Sequence, residues 1–132
     1  MIGIDTNVLV RLFINDDERQ VALVRSFFEQ RSDRDPAYVS IVVLAEFMWV
    51  LERTFKFPRA DALRAVAGLL EVTDIVIEQN DVVAWALANA DSPHVDFADA
   101  LIAEANRRAG AEKTVTFDKL AAKYIPAMEL LK

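Results

Sequence analysis

Four carboxylates in this sequence stand where a carboxylate is awkward: Asp5, Glu46, Asp99 and Asp118. Asp5 interrupts the apolar opening MIGIDTNVLVR. Glu46 lies in SIVVLAEFMWVLERTF, and its helical neighbours three and four positions away are Val42, Val43, Trp49 and Val50. Partial burial is expected of it. Asp99 follows Asp96 by three residues in DFADALIAEANRR, and Asp118 sits in TVTFDKLAAK. Each acid has a simpler structural reading. Asp favours helix N-caps, where its oxygen accepts from an unpaired backbone N–H. Asp5, Asp96 and Asp118 fit that role, and Asp99 fits a first-turn acid at the positive end of a helix. Glu46 could reach solvent from the edge of an apolar stripe. Held close together, however, such acids would repel one another, and a hard divalent cation that prefers oxygen ligands would relieve the repulsion.

Whether they meet depends on the elements that carry them. MIGI reads as a short buried strand, and Thr6 to Ile14 as a helix. Asp16, Asp17 and Glu18 place acids at the start of a second helix, which has Val21, Val24, Phe27 and Phe28 on one face. Ala37 to Ser40 is a strand. Ile41 to Phe55 is a long helix with Leu44, Phe47, Met48, Leu51 and Phe55 on one stripe. Pro58 opens the next helix, running to about Val72. DIVIE (Asp74 to Glu78) is a strand, and Asp81 to Ala90 is a helix. After a loop at Asp91 to His94, Phe97 to Ala109 is a helix closed by Gly110. Lys113 to Thr116 is a strand, Asp118 to Lys123 a short helix, and Ala127 to Leu131 an edge strand.

This alternation predicts an α/β protein, a three-layer α/β/α sandwich with a mainly parallel sheet of four to five strands. In a parallel sheet the carboxyl ends of the strands share one edge, where α/β proteins place their sites. Asp5 and Asp118 are expected along that edge. Asp99 at its helix start could join them, and Glu46 could reach in from the helix after the second strand.

Composition narrows the class. The chain has 132 residues, 54% of them hydrophobic, with three Gly, four Pro and no low-complexity stretch. One ordinary domain is expected. No apolar run approaches the roughly 20 residues that span a bilayer. The opening does not read as a signal peptide, because Asp5 breaks the apolar region and no basic flank precedes it. With no Cys there is no disulfide, zinc-thiolate site or thiol nucleophile; the cytoplasm is the expected compartment. The net charge of −6 argues against a general basic nucleic-acid surface, but not against an enzyme whose acids hold metal ions.

The segments IDTNVLVR, LAEF, DFADALIA and VTFD resemble, in that order and spacing, the PIN-domain ribonucleases, and are most similar to the VapC-type toxins of toxin–antitoxin pairs. The resemblance covers nearly the whole chain and implies one PIN-like nuclease domain over residues 1–132. It implies that Asp5, Glu46, Asp99 and Asp118 form an acidic Mg²⁺ (or Mn²⁺) site for hydrolysing RNA phosphodiesters. Thr6, Asn7 and Thr116 match small polar positions that orient ligands or bound water. Asp96 matches a less constant acid of the family. The resemblance also implies a homodimer and a cognate antitoxin that lays a helical segment over the toxin. The helices Ile41 to Phe55 and Pro58 to Val72, with Phe47 and Trp49, are expected to supply the antitoxin groove or the dimer contact.

For RNA or antitoxin contact, Arg11 is the first candidate. Arg53 with Lys56, and Arg107 and Arg108 with Lys113, follow it. His94, the single histidine, reads as a surface-loop residue.

Three other readings stand beside this one. A phosphoaspartate phosphatase would want a second acid where Asn7 stands. A PIN-type RNA-processing nuclease outside any toxin pair would share the same residues. A non-catalytic acidic interaction module would use its carboxylates only as caps, and metal would not change its stability.

Overall fold

Short parallel strands alternate with helices along the chain. The computed structural model describes all 132 residues. It divides into two units, Met1–Asn80 and Asp81–Lys132.

The first unit holds β1 (Ile2–Gly3), α1 (Thr6–Val10), α2 (Glu18–Glu29), β2 (Ala37–Val39), α3 (Ile41–Arg53), α4 (Arg59–Leu70) and β3 (Ile75–Ile77). The three strands form a parallel sheet in the order β1-β2-β3. Ala37 registers with Ile2 on one side and Ile75 on the other. Ala37, Val39, Ile75 and Ile77 are buried, with Tyr38 and Val76 more open between them, as the two-residue period of a strand requires.

Helix α3 packs against both α1 and α4. Leu44, Phe47, Met48 and Leu51 form its buried stripe, and Phe47 meets Phe13 with ring centroids 5.3 Å apart. Its N-terminus is doubly closed. Ser40 Oγ accepts from the Val43 amide at 3.2 Å, and Glu78, just after β3, accepts from the Ile41 amide at 2.9 Å. These bonds occupy two of the amides a helix start leaves unpaired.

The helix expected from Thr6 to Ile14 ends at Val10. Leu12 and Phe13 donate to the carbonyls of Leu9 and Val10, three residues back, so the chain tightens into turns before α2. Asp17 caps α2, its carboxylate accepting from the Gln20 amide at 3.0 Å.

The second unit holds α5 (Asn80–Asn89, whose first residue closes the first unit), α6 (Phe97–Arg108), β4 (Thr114–Thr116), α7 (Lys119–Tyr124) and β5 (Met128–Leu130). β4 and β5 pair in parallel, with Thr114 opposite Met128 and Thr116 opposite Leu130. Within each unit the strands pair in parallel, as expected. Their hydrogen bonds fall into a three-stranded and a two-stranded ladder rather than one continuous sheet.

Helix α6 ends as Gly110 predicts. Gly110 adopts φ +100°, its amide donates to the Arg107 carbonyl at 3.0 Å, and the Ala111 amide reaches the Asn106 carbonyl at 3.0 Å. This is the paired closure that a left-handed residue permits.

Candidate active site

Asp5, Ser40 and Glu78 follow the ends of β1, β2 and β3, at the carboxyl edge of the parallel sheet. Asp5 occupies the N-cap position of α1 with extended backbone, and its carbonyl accepts from Val8 and Leu9. Its carboxylate makes no capping bond and is exposed. The capping reading therefore accounts for the backbone of Asp5 and not for its charge. Thr6 is buried at the start of α1. Asn7 is exposed, and its carbonyl accepts from Arg11.

Glu46 departs from expectation. It is exposed, not partly buried. Val42, Glu46, Trp49 and Arg53 form an open strip along α3, opposite the stripe of Leu44, Phe47, Met48 and Leu51. Trp49 is 58% exposed, so it is available to a contact face. Phe47 is fully buried and is not. Two residues, about half a helical turn, separate these fates, and local sequence cannot say which side of so apolar a helix turns inward.

In the second unit Asp96, Asp99 and Asp118 act on one another. Asp96 caps α6, its Oδ1 accepting from the amides of Ala98 at 2.9 Å and Asp99 at 3.2 Å. Asp118 caps α7, accepting from the Ala121 amide at 3.0 Å, while its own amide donates to Thr116 Oγ1 at 3.0 Å. Both aspartates do serve as caps. Asp99 is different. It is half-buried in the first turn of α6. Burial raises its carboxyl above the usual value, and the charges of Asp96 and Asp118 raise it further. No basic group offsets them. The backbones of Asp99 and Asp118 are thus each fixed by a neighbouring polar side chain, Asp96 and Thr116. Nowhere do three or more His, Asp or Glu side chains stand grouped as a ready-made metal cluster.

Two acids escaped the sequence reading. Glu104 on α6 is 1% exposed, the most buried charge in the protein. Its carboxylate accepts from Arg107 at 2.8 and 3.0 Å and from Arg108 at 2.7 Å. Arg108 continues the network to Asp81. The Arg107 hydrogen bonds, with those of Arg108, overcome the cost of burial and hold the Glu104 carboxyl down at about 2. The available signal was the i, i+3, i+4 spacing of Glu104, Arg107 and Arg108. Arg107 and Arg108 are thus engaged by acids and not held out for RNA. Lys113 is likewise committed to Glu129 at 2.7 Å. Glu78 is the second omission, and its use as a cap for another element is invisible in local sequence.

Arg11 folds back on Asp16, with nitrogen–oxygen separations of 3.4 Å. Arg53 and Lys56 are exposed. His94 is an exposed loop residue that stacks on Tyr124 with centroids 4.5 Å apart.

Parallel strands linked by helices, with acids at strand ends and helix starts, define a class. The PIN domain family matches residues 2–124, so the chain belongs to that family. It is similar to the VapC ribonuclease of Aquifex aeolicus (strain VF5), with 25% identity over 117 residues that cover 88% of this chain and 86% of the relative. No helix is long and apolar enough to cross a membrane.

Proposed function

We propose that this protein is a divalent-metal-dependent endoribonuclease acting as the toxin of a toxin–antitoxin pair. Asp5, Glu46, Asp99 and Asp118 are its metal ligands. Membership of the PIN family and similarity to a VapC ribonuclease support the reading. The observation that carries it is the state of Asp99: a half-buried carboxylate pressed by two other carboxylates with no basic side chain to compensate. A purely structural arrangement would gain by replacing Asp99, which caps nothing and is opposed by both neighbouring charges. A divalent ion would remove the conflict, and the all-oxygen donors suit Mg²⁺ or Mn²⁺.

Bound by these residues, such ions supply a water of lowered pKa and stabilise the departing oxygen of the phosphodiester. The protein's own part is positional. Asp96 fixes the Asp99 amide, Thr116 fixes the Asp118 amide, and the Asp5 carboxylate is left free by the backbone cap of α1. Thr6 and Asn7 frame Asp5 from the same helix start. The cognate antitoxin and the second copy of a homodimer are the proposed protein partners. The exposed Val42 and Trp49 on α3 offer them apolar surface.

A non-catalytic acidic module accounts for the caps at Asp96 and Asp118; it gives Asp99 only a first-turn position, where two like charges oppose it, and gives the Asp5 carboxylate no bond. The test is cleavage of a mixed RNA pool by antitoxin-free protein with Mg²⁺, with Mn²⁺ and with chelator, beside Asp5→Asn. Metal-dependent cutting that vanishes in Asp5→Asn is the expected result. Cutting that persists in the variant would remove Asp5 from the site. Absence of both cutting and metal-induced stabilisation would sink the nuclease reading.

A further inference from the structure

The residue before Asp118 is Phe117, and its ring is 78% exposed, the most exposed large apolar side chain in the protein. An apolar residue just before a helix N-cap ordinarily folds down onto the residue four places into the helix. Here that residue is Ala122, too small to hold a phenyl ring, and Phe117 stays in water. Its backbone neighbours are the opposite of loose. Asp118 is held by Thr116 on one side and by the Ala121 amide on the other. The ring is therefore mounted on a fixed stretch of chain, beside a proposed metal ligand.

The helix that follows carries cationic and aromatic side chains. Helix α7 carries Lys119 and Lys123 and no acid, in a chain whose net charge is −6. Lys113 is paired with Glu129, whereas no carboxylate pairs with Lys119 or Lys123. Lys123 lies 5.3 Å from the centre of the Tyr124 ring, and the exposed His94 stacks on that same ring. A projecting aromatic ring with unpaired lysines is the combination that binds single-stranded nucleic acid, by stacking on bases and attracting phosphates.

We infer that Phe117 is a positioning residue for substrate, a platform on which an unpaired RNA base stacks so that the adjoining phosphodiester lies at Asp118, with Lys119 and Lys123 drawing the backbone. The inference rests on the nuclease reading above.

The experiment measures binding of a short random-sequence single-stranded RNA pool in chelator, by fluorescence anisotropy, for the full chain and for Phe117→Ala, Phe117→Leu and Phe117→Trp. Stacking is sequence-tolerant, so a random pool suffices. Phe117→Ala and Phe117→Leu are expected to weaken binding roughly 5- to 150-fold, and Phe117→Trp to retain it. Melting temperatures should stay together, because the ring supports no packing.

Unchanged RNA binding in Phe117→Ala, with cleavage still abolished by Asp118→Asn, would overturn the inference and leave the nuclease reading intact. Full binding by Phe117→Leu would also overturn it, since an aliphatic side chain offers no stacking face. So would a change only in sedimentation or antitoxin capture, which would mark a protein contact. If the unsubstituted protein neither binds nor cuts RNA, the nuclease reading itself falls and takes this one with it.

Discussion

Asp5 and Asp118 occupy the same local position, an N-cap after a strand, and use it differently. The Asp118 carboxylate holds the Ala121 amide, whereas that of Asp5 holds nothing. Asp118→Ala should therefore cost about 1 kcal/mol of stability, the usual value of a lost cap. Asp5→Asn should change stability by less than about 0.5 kcal/mol while abolishing cleavage. Urea melts beside the cleavage assay separate the two, and a large stability loss in Asp5→Asn would show a structural role. Asp99→Asn should leave the metal-free protein as stable or more so, because it removes a charge that two neighbours oppose. It should also abolish the rise in melting temperature that Mn²⁺ or Mg²⁺ gives by binding the native state alone.

Glu104 gives the residue-scale pH prediction. Its carboxyl sits at about 2 in the folded protein, against 4.5 ordinarily. A depressed folded value means stability that is fully present above the ordinary value and is lost as pH falls through the folded one. The loss should run from about pH 4.5 down to about 2. At neutral pH, Glu104→Gln should cost about 2–4 kcal/mol, because Arg107 and Arg108 lose their partner at a buried site. Melts of both proteins between neutral and acid pH check this. Equal acid sensitivity would mean that Glu104 does not govern the loss.

At the scale of elements, helix ends carry most of the specific information. Ser40 and Glu78 together close α3, the helix that bears Glu46 and Trp49. Gly110 closes α6 in a conformation that disfavours any side chain, although a Cβ there would meet no atom within 4 Å. Gly110→Ala should thus cost about 1–2 kcal/mol through the backbone alone. A melt showing no loss would mean that α6 can end in another way. These ends were largely legible: Asp17, Ser40, Asp96, Asp118 and Gly110 are residue types whose local chemistry announces a terminus. The early stop of α1 at Val10 was not, because no Gly or Pro marks it.

For the molecule as a whole, the open strip on α3 separates two kinds of apolar residue. Trp49→Glu should leave the fold intact and impair association with the antitoxin or a second copy, as read by co-purification and sedimentation. Phe47→Glu should prevent folding, because it would bury an unpaired charge beside Phe13. Assembly that survives Trp49→Glu would place the contact elsewhere. Charge follows the same logic. The chain is acidic overall, yet its arginines are unevenly committed: Arg11, Arg107 and Arg108 are engaged by acids, and Arg53 stands open.

The sequence by itself determined the order of strands and helices, their parallel character and the acids worth suspecting. Periodicity, capping chemistry and strand–helix alternation are local, and a linear chain displays them. The tertiary structure decided what depends on which side of an element turns inward. It set Glu46 on an open face, buried Phe47, and locked Glu104 between two arginines. It also gave Asp99 two like-charged neighbours and left Phe117 in water. Which face is buried, and the approach of Asp118 to Asp99, arise between elements far apart in the chain, so only the folded arrangement fixes them; the spacing of Glu104, Arg107 and Arg108 is local, but the burial that makes it matter is not.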